Sequence, residues 1–243
     1  MIKSVVFDVD DTMYDQQQPF KNSVQRVIPL VSEKDMHPLY IRFRYHSDEN
    51  FPKVMAGEWT LEYMRTHRIS QSLIDLGYPT ISEEKGLYFQ QVYEEELANI
   101  CLHQEVKKTL DFLKEKNIPM GIITNGPTDH QTKKLAQLQL ANWIPSHCMI
   151  VSQATGFQKP DKEIFQLAEK NFNMSASETL YVGDNYDNDV LGAKGANWHT
   201  LWFNHRKRTV GDKTACDVEI EEFNQLLPKI KELINESHSV DCN

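Results

Sequence analysis

Short apolar segments alternate with amphipathic helical segments from residue 103 to residue 203, and this rhythm constrains the fold more than any other feature. Short β-branched runs of this kind suit strands that are buried on both faces. We predict strands at residues 4–7, 120–124, 148–151, 180–183 and 200–203. Alternation of strands with helices is typical of a parallel sheet with helices on both faces. The prediction is an α/β fold with a doubly wound, mainly parallel, Rossmann-like sheet.

Residues 20–98 interrupt the alternation, because they show helical signals and no convincing strand. Leu61, Met64 and Ile69 recur there at near-helical spacing. The segment is also rich in aromatic residues, which we expect to pack a small helical bundle. We therefore predict an α/β core at residues 1–16 and 99–243, interrupted by an all-helical insert at residues 17–98.

The first predicted strand runs into the sequence FDVDDT at residues 7–12. Asp8 and Asp10 lie at the carboxyl end of that strand, where loops of an open α/β sheet usually bind ligands. Three acidic residues within four positions repel one another, and a bound cation is the economical compensation. Alone, the Asp-x-Asp pattern also fits an exposed turn or a helix cap.

A second polar cluster, Thr124-Asn125-Gly126, follows another predicted strand. It precedes a helix for which Thr128 and Gln131 have the spacing of capping residues. A hydroxyl, an amide and a flexible glycine before a helix amino terminus suit the oxygens of a phosphate.

Two more clusters carry opposite charges. Lys159, before Pro160 and a predicted helix, is a point charge able to neutralise a phosphoryl group. The sequence GDNYDND at 183–189 places Asp184 after a strand, where it can complete with Asp8 an oxygen-rich site of the sort Mg²⁺ prefers. Each cluster alone fits a common turn or helix start. Four of them, each beyond the carboxyl end of a predicted strand, favour a joint metal and phosphate site.

Composition limits the classes of partner. The 243 residues carry a net charge of −9, which disfavours nucleic acid and anionic membranes as general partners. No apolar stretch approaches the length of a membrane span, and the four cysteines form no CxxC pair, so neither a zinc knuckle nor a redox dithiol is indicated. A small phosphorylated molecule is compatible with this net charge, because the local charge of a site can differ from the global sum. We expect a cytoplasmic protein, and the sequence does not indicate an oligomeric state.

The four clusters resemble the four ordered motifs of the haloacid dehalogenase superfamily. They read FDVDDT (7–12), ITN (123–125), QKPD (158–161) and VGDNYDND (182–189). The insert lies where that superfamily has its helical cap, so the resemblance implies a cap domain at residues 17–98. Within the superfamily, the chain is similar to capped small-molecule phosphatases such as phosphoglycolate phosphatases and pyrimidine nucleotidases.

The resemblance implies a Mg²⁺-dependent phosphatase that acts on a nucleotide, a sugar phosphate or a phosphoglycolate-type monoester. Asp8 would be the nucleophile that forms an aspartyl-phosphate. Asp10 would act as general acid and then as general base. Mg²⁺ would be held by the Asp8 carboxylate, the Asp10 backbone carbonyl and Asp184. The implied phosphate-binding residues are Thr124, Asn125 and the catalytic Lys159, with Thr12 and Asp189 in supporting roles.

The residues leave alternatives open. A phosphomutase shares every motif and differs in the fate of the aspartyl-phosphate. A phospho-accepting signalling module also combines acidic residues with a threonine and a Lys-Pro pair, although such modules are shorter. Dehalogenases of the superfamily lack the second acid, so Asp10 favours phosphate chemistry. We expect Asp11 to be exposed and not catalytic, and Asp187 to be a solvated loop residue.

Overall fold

A computed structural model describes residues 2–235, so Cys242 lies outside the described part. The chain folds into two compact units. One unit, here called the α/β unit, comprises Met1–Asp15 and Cys101–Asn243. The other, the helical unit, comprises Gln16–Ile100. Among residues 2–235, no helix combines the length and the apolar character needed to cross a membrane.

The α/β unit contains a six-stranded sheet in the order β3-β2-β1-β4-β5-β6, with every neighbouring pair parallel. Its strands are β1 Ser4–Phe7, β2 Met120–Thr124, β3 Met149–Val151, β4 Thr179–Gly183, β5 His199–Phe203 and β6 Val218–Ile220. This order is that of a doubly wound sheet, which confirms the predicted fold class. The sequence analysis missed β6, which has three residues with a glutamate in the middle and pairs on one side only.

The central strand β1 is buried along its whole length. Val5 pairs with Met120 of β2 on one side and with Leu180 of β4 on the other. A strand flanked in this way needs apolar side chains on both faces, which explains its uninterrupted apolar run. The strand order changes direction at β1 and β4. In open α/β sheets ligands bind at such a point, beyond the carboxyl ends of the strands.

Helices and short helical turns connect the strands of the α/β unit. The helices are α5 Gln104–Glu115, α6 Thr128–Gln137, α7 Ser152–Thr155, α8 Lys162–Phe172, α9 Gly192–Gly195 and α10 Leu226–Asn235. A π-helical turn at Tyr186–Leu191 precedes α9. Helix α6 begins at Thr128 as predicted, but the residue before it, Pro127, has no capping side chain, and the Thr128 N–H donates to Gln153 Oε1 at 2.8 Å. The Gln131 side chain, predicted to cap the helix, donates to Asp10 instead.

Four α-helices form the helical unit, namely α1 Gln17–Val27, α2 Met36–Met55, α3 Leu61–Asp75 and α4 Glu83–Leu97. Two of them begin with a side-chain cap, since Thr60 accepts from the Tyr63 N–H and Ser82 from the Lys85 N–H. The rings of Phe20, Tyr40, Phe43, Phe89 and Tyr93 are buried against one another. Aromatic packing of a helical bundle is thus present as predicted, but Tyr45, Tyr63 and Tyr88 do not take part in the core and are exposed.

Candidate active site

Lys159 is the centre of a buried polar cluster at the carboxyl edge of the sheet. Its Nζ lies 2.7 Å from Asp8 Oδ1, 2.7 Å from Asp189 Oδ1 and 2.9 Å from Tyr181 Oη. The Tyr181 hydroxyl donates in turn to the carbonyl oxygen of Ile123. Burial by itself would lower the pKa of Lys159, but Asp189 and Asp8 outweigh burial and hold it well above its usual value. Lys159 is therefore a fixed positive charge at this edge.

Asp8 follows β1 directly and is 6% exposed. Its Oδ2 accepts a hydrogen bond of 3.2 Å from Thr12 Oγ1, while its Oδ1 faces Lys159. Burial raises the pKa of Asp8 to about 7, and Asp189 and Asp10 act in the same direction, although Lys159 opposes them. The carboxylate form of Asp8 thus lies in surroundings that carry too little positive charge to stabilise it fully.

Two further carboxylates lie beside Asp8. Oxygens of Asp8, Asp184 and Asp189 all lie within 4.8 Å of one another, and all three residues are buried. Burial raises the pKa of Asp184 well above its usual value, although the Arg208 guanidinium, with Nη2 3.0 Å from Asp184 Oδ2, lowers it. Three carboxylates here face two side-chain cations, Lys159 and Arg208. This oxygen-rich cluster with excess negative charge is chemically suited to a hard divalent cation such as Mg²⁺.

Asp189 contacts the main chain as well as Lys159. Its Oδ2 accepts from the Asn185 N–H at 2.9 Å, and its Oδ1 accepts from Lys159. A Cβ on Gly183 would lie 2.4 Å from the Asp189 carboxyl carbon, so only glycine leaves room for this carboxylate. Both oxygens of Asp189 have protein donors, as both oxygens of Asp8 do, and the supporting role of Asp189 stays a prediction.

The carboxyl end of β2 contributes an unusual hydroxyl. Thr124 is buried, and within the described residues its Oγ1 has no hydrogen-bond partner. Buried hydroxyls normally have partners, so this group is available to a ligand. The Asn125 side chain makes two hydrogen bonds to the backbone of Lys159. Its Oδ1 accepts from the Lys159 N–H at 2.9 Å, and its Nδ2 donates to the Lys159 carbonyl at 2.8 Å.

The side chain of Asp10 is not part of the acidic cluster around Asp8. Its oxygens lie 2.6 and 2.7 Å from the Nζ of Lys134, and Gln131 Nε2 donates to Oδ2 at 3.0 Å. Lys134 and Gln131 both come from helix α6. The structure therefore gives Asp10 a cation of its own.

Asp11 differs from the expectation of an exposed residue, because it is only 2% exposed. Its φ of +62° is a conformation that side chains rarely adopt. Arg206 donates from Nη2 to Asp11 Oδ1 at 2.7 Å, and His205 Nε2 lies 2.8 Å from the Asp11 carbonyl oxygen. The buried ion pair explains why an aspartate is accommodated at this turn. Asp187, by contrast, is exposed as expected.

Sequence reasoning missed the partners of these aspartates. Lys134 had a detectable signal, because it lies on the face of α6 that also carries the buried Gln131, Leu135 and Leu138. A lysine within such a stripe indicates a buried ion pair. Arg206 and Arg208 gave no comparable signal, since they lie in an irregular segment far along the chain from the acids they contact.

Comparison with known proteins gives concordant results. A model of the haloacid dehalogenase-like hydrolase family matches residues 2–197. The chain is 27% identical over 250 residues to a glyceraldehyde 3-phosphate phosphatase of Pyrococcus abyssi (strain GE5 / Orsay), covering 98% of this chain and 97% of the relative.

Two solved structures are similar in fold. The crystal structure of the HAD-hydrolase YfnB from Bacillus subtilis bound to magnesium has a TM-score of 0.69 at 23% identity and covers 94% of this chain and 98% of its own. The L-2-haloacid dehalogenase RSc1362 has a TM-score of 0.73 at 18% identity, with 95% and 99% coverage. At these identities the likeness concerns the fold.

Proposed function

The chain belongs to the haloacid dehalogenase-like hydrolase family, and on that premise we propose that it is a Mg²⁺-dependent phosphatase of small phosphomonoesters. The observation that carries the proposal is the buried cluster in which Lys159 contacts both Asp8 and Asp189 beside Asp184. The phosphatase name of the Pyrococcus relative supports it. Asp10 also supports it, because an alkoxide leaving group needs a proton whereas a halide does not.

Asp8 is the proposed nucleophile. Its carboxylate oxygen attacks phosphorus, the bond from phosphorus to the leaving oxygen breaks, and an aspartyl-phosphate forms on Asp8. Thr12 donates to one oxygen of this carboxylate and Lys159 to the other, so the side chain is fixed before substrate arrives. Orientation of this kind removes part of the entropic barrier to attack.

Lys159 and Thr124 are the proposed binding groups for the phosphoryl oxygens. Negative charge is spread over these oxygens during transfer, so stabilising it is the main catalytic task. The Lys159 ammonium supplies a fixed charge, and the Thr124 hydroxyl, which has no partner among residues 2–235, supplies a donor. Asn125 would act through its backbone, while its side chain holds the Lys159 segment in place.

The metal would be held by Asp8, Asp184 and the backbone carbonyl of Asp10, with Asp189 supporting them. When bound, Mg²⁺ would supply charge neutralisation to the phosphoryl oxygens. Asp10 would donate a proton to the leaving oxygen and later accept one from the attacking water.

The helical segment at residues 17–98 is proposed to act as the cap domain that selects the substrate. A small phosphorylated metabolite is the proposed partner. A cytoplasmic location stays a prediction, and it depends on composition and cysteine spacing.

Phosphate release from a panel of phosphorylated sugars, nucleotides, glycolate and p-nitrophenyl phosphate, measured with Mg²⁺, tests the proposal. The wild type should release phosphate, and Asp8→Asn should abolish turnover because the amide is a poor nucleophile. Asp187→Asn, an exposed acid in the segment that carries Asp184, is the matched control and should retain activity. Isomer formation without net phosphate release would instead indicate a phosphomutase, and full activity of Asp8→Asn would refute the assigned nucleophile.

A further inference from the structure

The Asp10 carboxylate is held by three side chains that lie outside the acidic cluster. Lys134 is 4% exposed, and its Nζ contacts both oxygens of Asp10 at 2.6 and 2.7 Å. The Tyr14 hydroxyl donates to Oδ1, and Gln131 Nε2 donates to Oδ2. An ammonium that contacts both oxygens fixes the rotation of the carboxylate as well as its position.

Gln131 links Asp10 to the segment after β2. Its Nε2 donates to Asp10 Oδ2 and also to the carbonyl oxygen of Asn125 at 2.8 Å. If the Gln131 amide were flipped, its Oε1 would face the Asp10 carboxylate and the Asn125 carbonyl, which are both acceptors. These two contacts therefore determine which atom of the amide is the nitrogen. Gly126 makes the approach possible, since a Cβ there would lie 2.8 Å from Gln131 Nε2. Asp10 is thus tied both to α6 and to the predicted phosphate-binding segment.

We propose that Lys134 is a positioning residue, which holds the Asp10 carboxylate in the orientation needed for hydrolysis of the aspartyl-phosphate. This inference rests on the proposed function. Lys134 thereby acts through Asp10 and mainly in the second half of the reaction.

Lys134 assists the step in which water cleaves the aspartyl-phosphate. The oxygen of a water molecule forms a bond to phosphorus while one of its protons passes to the Asp10 carboxylate. The bond between phosphorus and the Asp8 oxygen breaks, and its electron pair returns to the Asp8 carboxylate. The products are inorganic phosphate and free Asp8, and Asp10 holds the proton that it can donate to the next leaving group. A carboxylate that can rotate freely accepts this proton less efficiently.

Rapid-quench kinetics of Lys134→Met with p-nitrophenyl phosphate test the proposal, because nitrophenolate leaves without needing a proton. The first turnover should stay within about threefold of wild type, while steady-state turnover should fall about 10- to 100-fold, as expected for a partial loss of acid–base catalysis. Phosphoenzyme should accumulate and produce a burst of nitrophenolate. Lys133→Met changes an exposed lysine on the same helix and should leave both phases unchanged.

A double-mutant cycle separates positioning from a general structural effect. If Lys134 acts through Asp10, then adding Lys134→Met to Asp10→Asn should lower steady-state turnover by less than about twofold. An equal loss in both phases, or a full additional loss in the double variant, would overturn the proposal. If Lys134→Met does not fold, Tyr14→Phe is tested in its place, because it removes one donor to Asp10 and keeps the aromatic ring. It should show the same burst at smaller amplitude.

The outcomes distinguish the two proposals. Absence of phosphate release by the wild type would refute the proposed phosphatase function and this inference with it. A wild type that turns over normally, with a Lys134→Met variant that matches it in both phases, would refute only the role of Lys134.

Discussion

The regions around Asp8 and Asp10 differ in their charge balance, although the two residues are only two positions apart. Asp8 shares Lys159 with Asp189 and lies beside Asp184, so three carboxylates face two cations. Asp10 contacts Lys134 through both of its oxygens. The region around Asp8 therefore has an excess of negative charge, whereas the charge of Asp10 is matched by its own lysine.

This difference bears on what the acidic run FDVDDT indicates. Repulsion among its three aspartates indicated a bound cation. The structure instead pairs each aspartate with a different side-chain cation, since Asp11 contacts Arg206. The excess charge that suits a metal arises from Asp184 and Asp189, which lie far along the chain. The acidic run alone was therefore insufficient evidence for the metal.

The largest expected effect is that of Lys159→Met, which would leave Asp8 and Asp189 buried without their shared cation. Removing one partner of a buried ion pair typically costs about 3–5 kcal/mol. We expect a loss of this size in the free energy of unfolding, measured by urea denaturation, with activity reduced by at least about 100-fold. Lys162→Met, at an exposed site nearby in the sequence, is the control. A loss below about 1 kcal/mol, on the order of a surface substitution, would contradict the central place of Lys159.

The second prediction uses the metal itself to compare the two regions. Mg²⁺ at about 100 times its dissociation constant should stabilise the folded wild type by about 2.7 kcal/mol, measured as a rise in the thermal midpoint over an EDTA-treated sample. Asp184→Asn should remove most of this stabilisation because it removes a buried carboxylate from the cluster. Lys134→Met and the exposed Asp187→Asn should retain it. Loss of Mg²⁺ stabilisation in Lys134→Met would show that the two regions are not independent.

The smallest effect is expected at Asp11. Arg206→Met leaves the buried Asp11 carboxylate without its main donor, which costs about 1–3 kcal/mol in the free energy of unfolding. Arg206 is itself partly exposed, so water compensates for some of the loss. Mg²⁺ stabilisation should persist in this variant. The exposed neighbour Lys207 offers the control Lys207→Met, which should change stability by less than about 0.5 kcal/mol. Equal losses in the two variants would contradict the importance of the ion pair.

The sheet was largely predictable because its inner strands are buried on both faces. Burial on both faces forces runs such as Val5-Val6-Phe7, which are visible in the sequence. Strand β6 escaped because an edge strand with one neighbour tolerates a polar centre, here Glu219. Periodicity is informative only where burial imposes it.

The sequence identified which aspartates belong to the candidate site, but it did not identify the side chains that contact them. Asp11 was expected to be exposed because it lies in a polar turn, and nothing local indicates that Arg206 covers it from 195 residues away. Gln131 has the spacing of a capping residue, yet its side chain reaches Asp10 instead. Such choices depend on which elements meet in space, and a single sequence does not specify that.

The close approach of Gly183 to Asp189 has a consequence for how this protein can vary. Even a methyl group at position 183 would displace the carboxylate that shares Lys159 with Asp8. A residue with no chemistry of its own is thereby among the least replaceable in the chain. Mutational scans that look only for lost charge would overlook Gly183. Any other amino acid at position 183 requires a change at Asp189 as well.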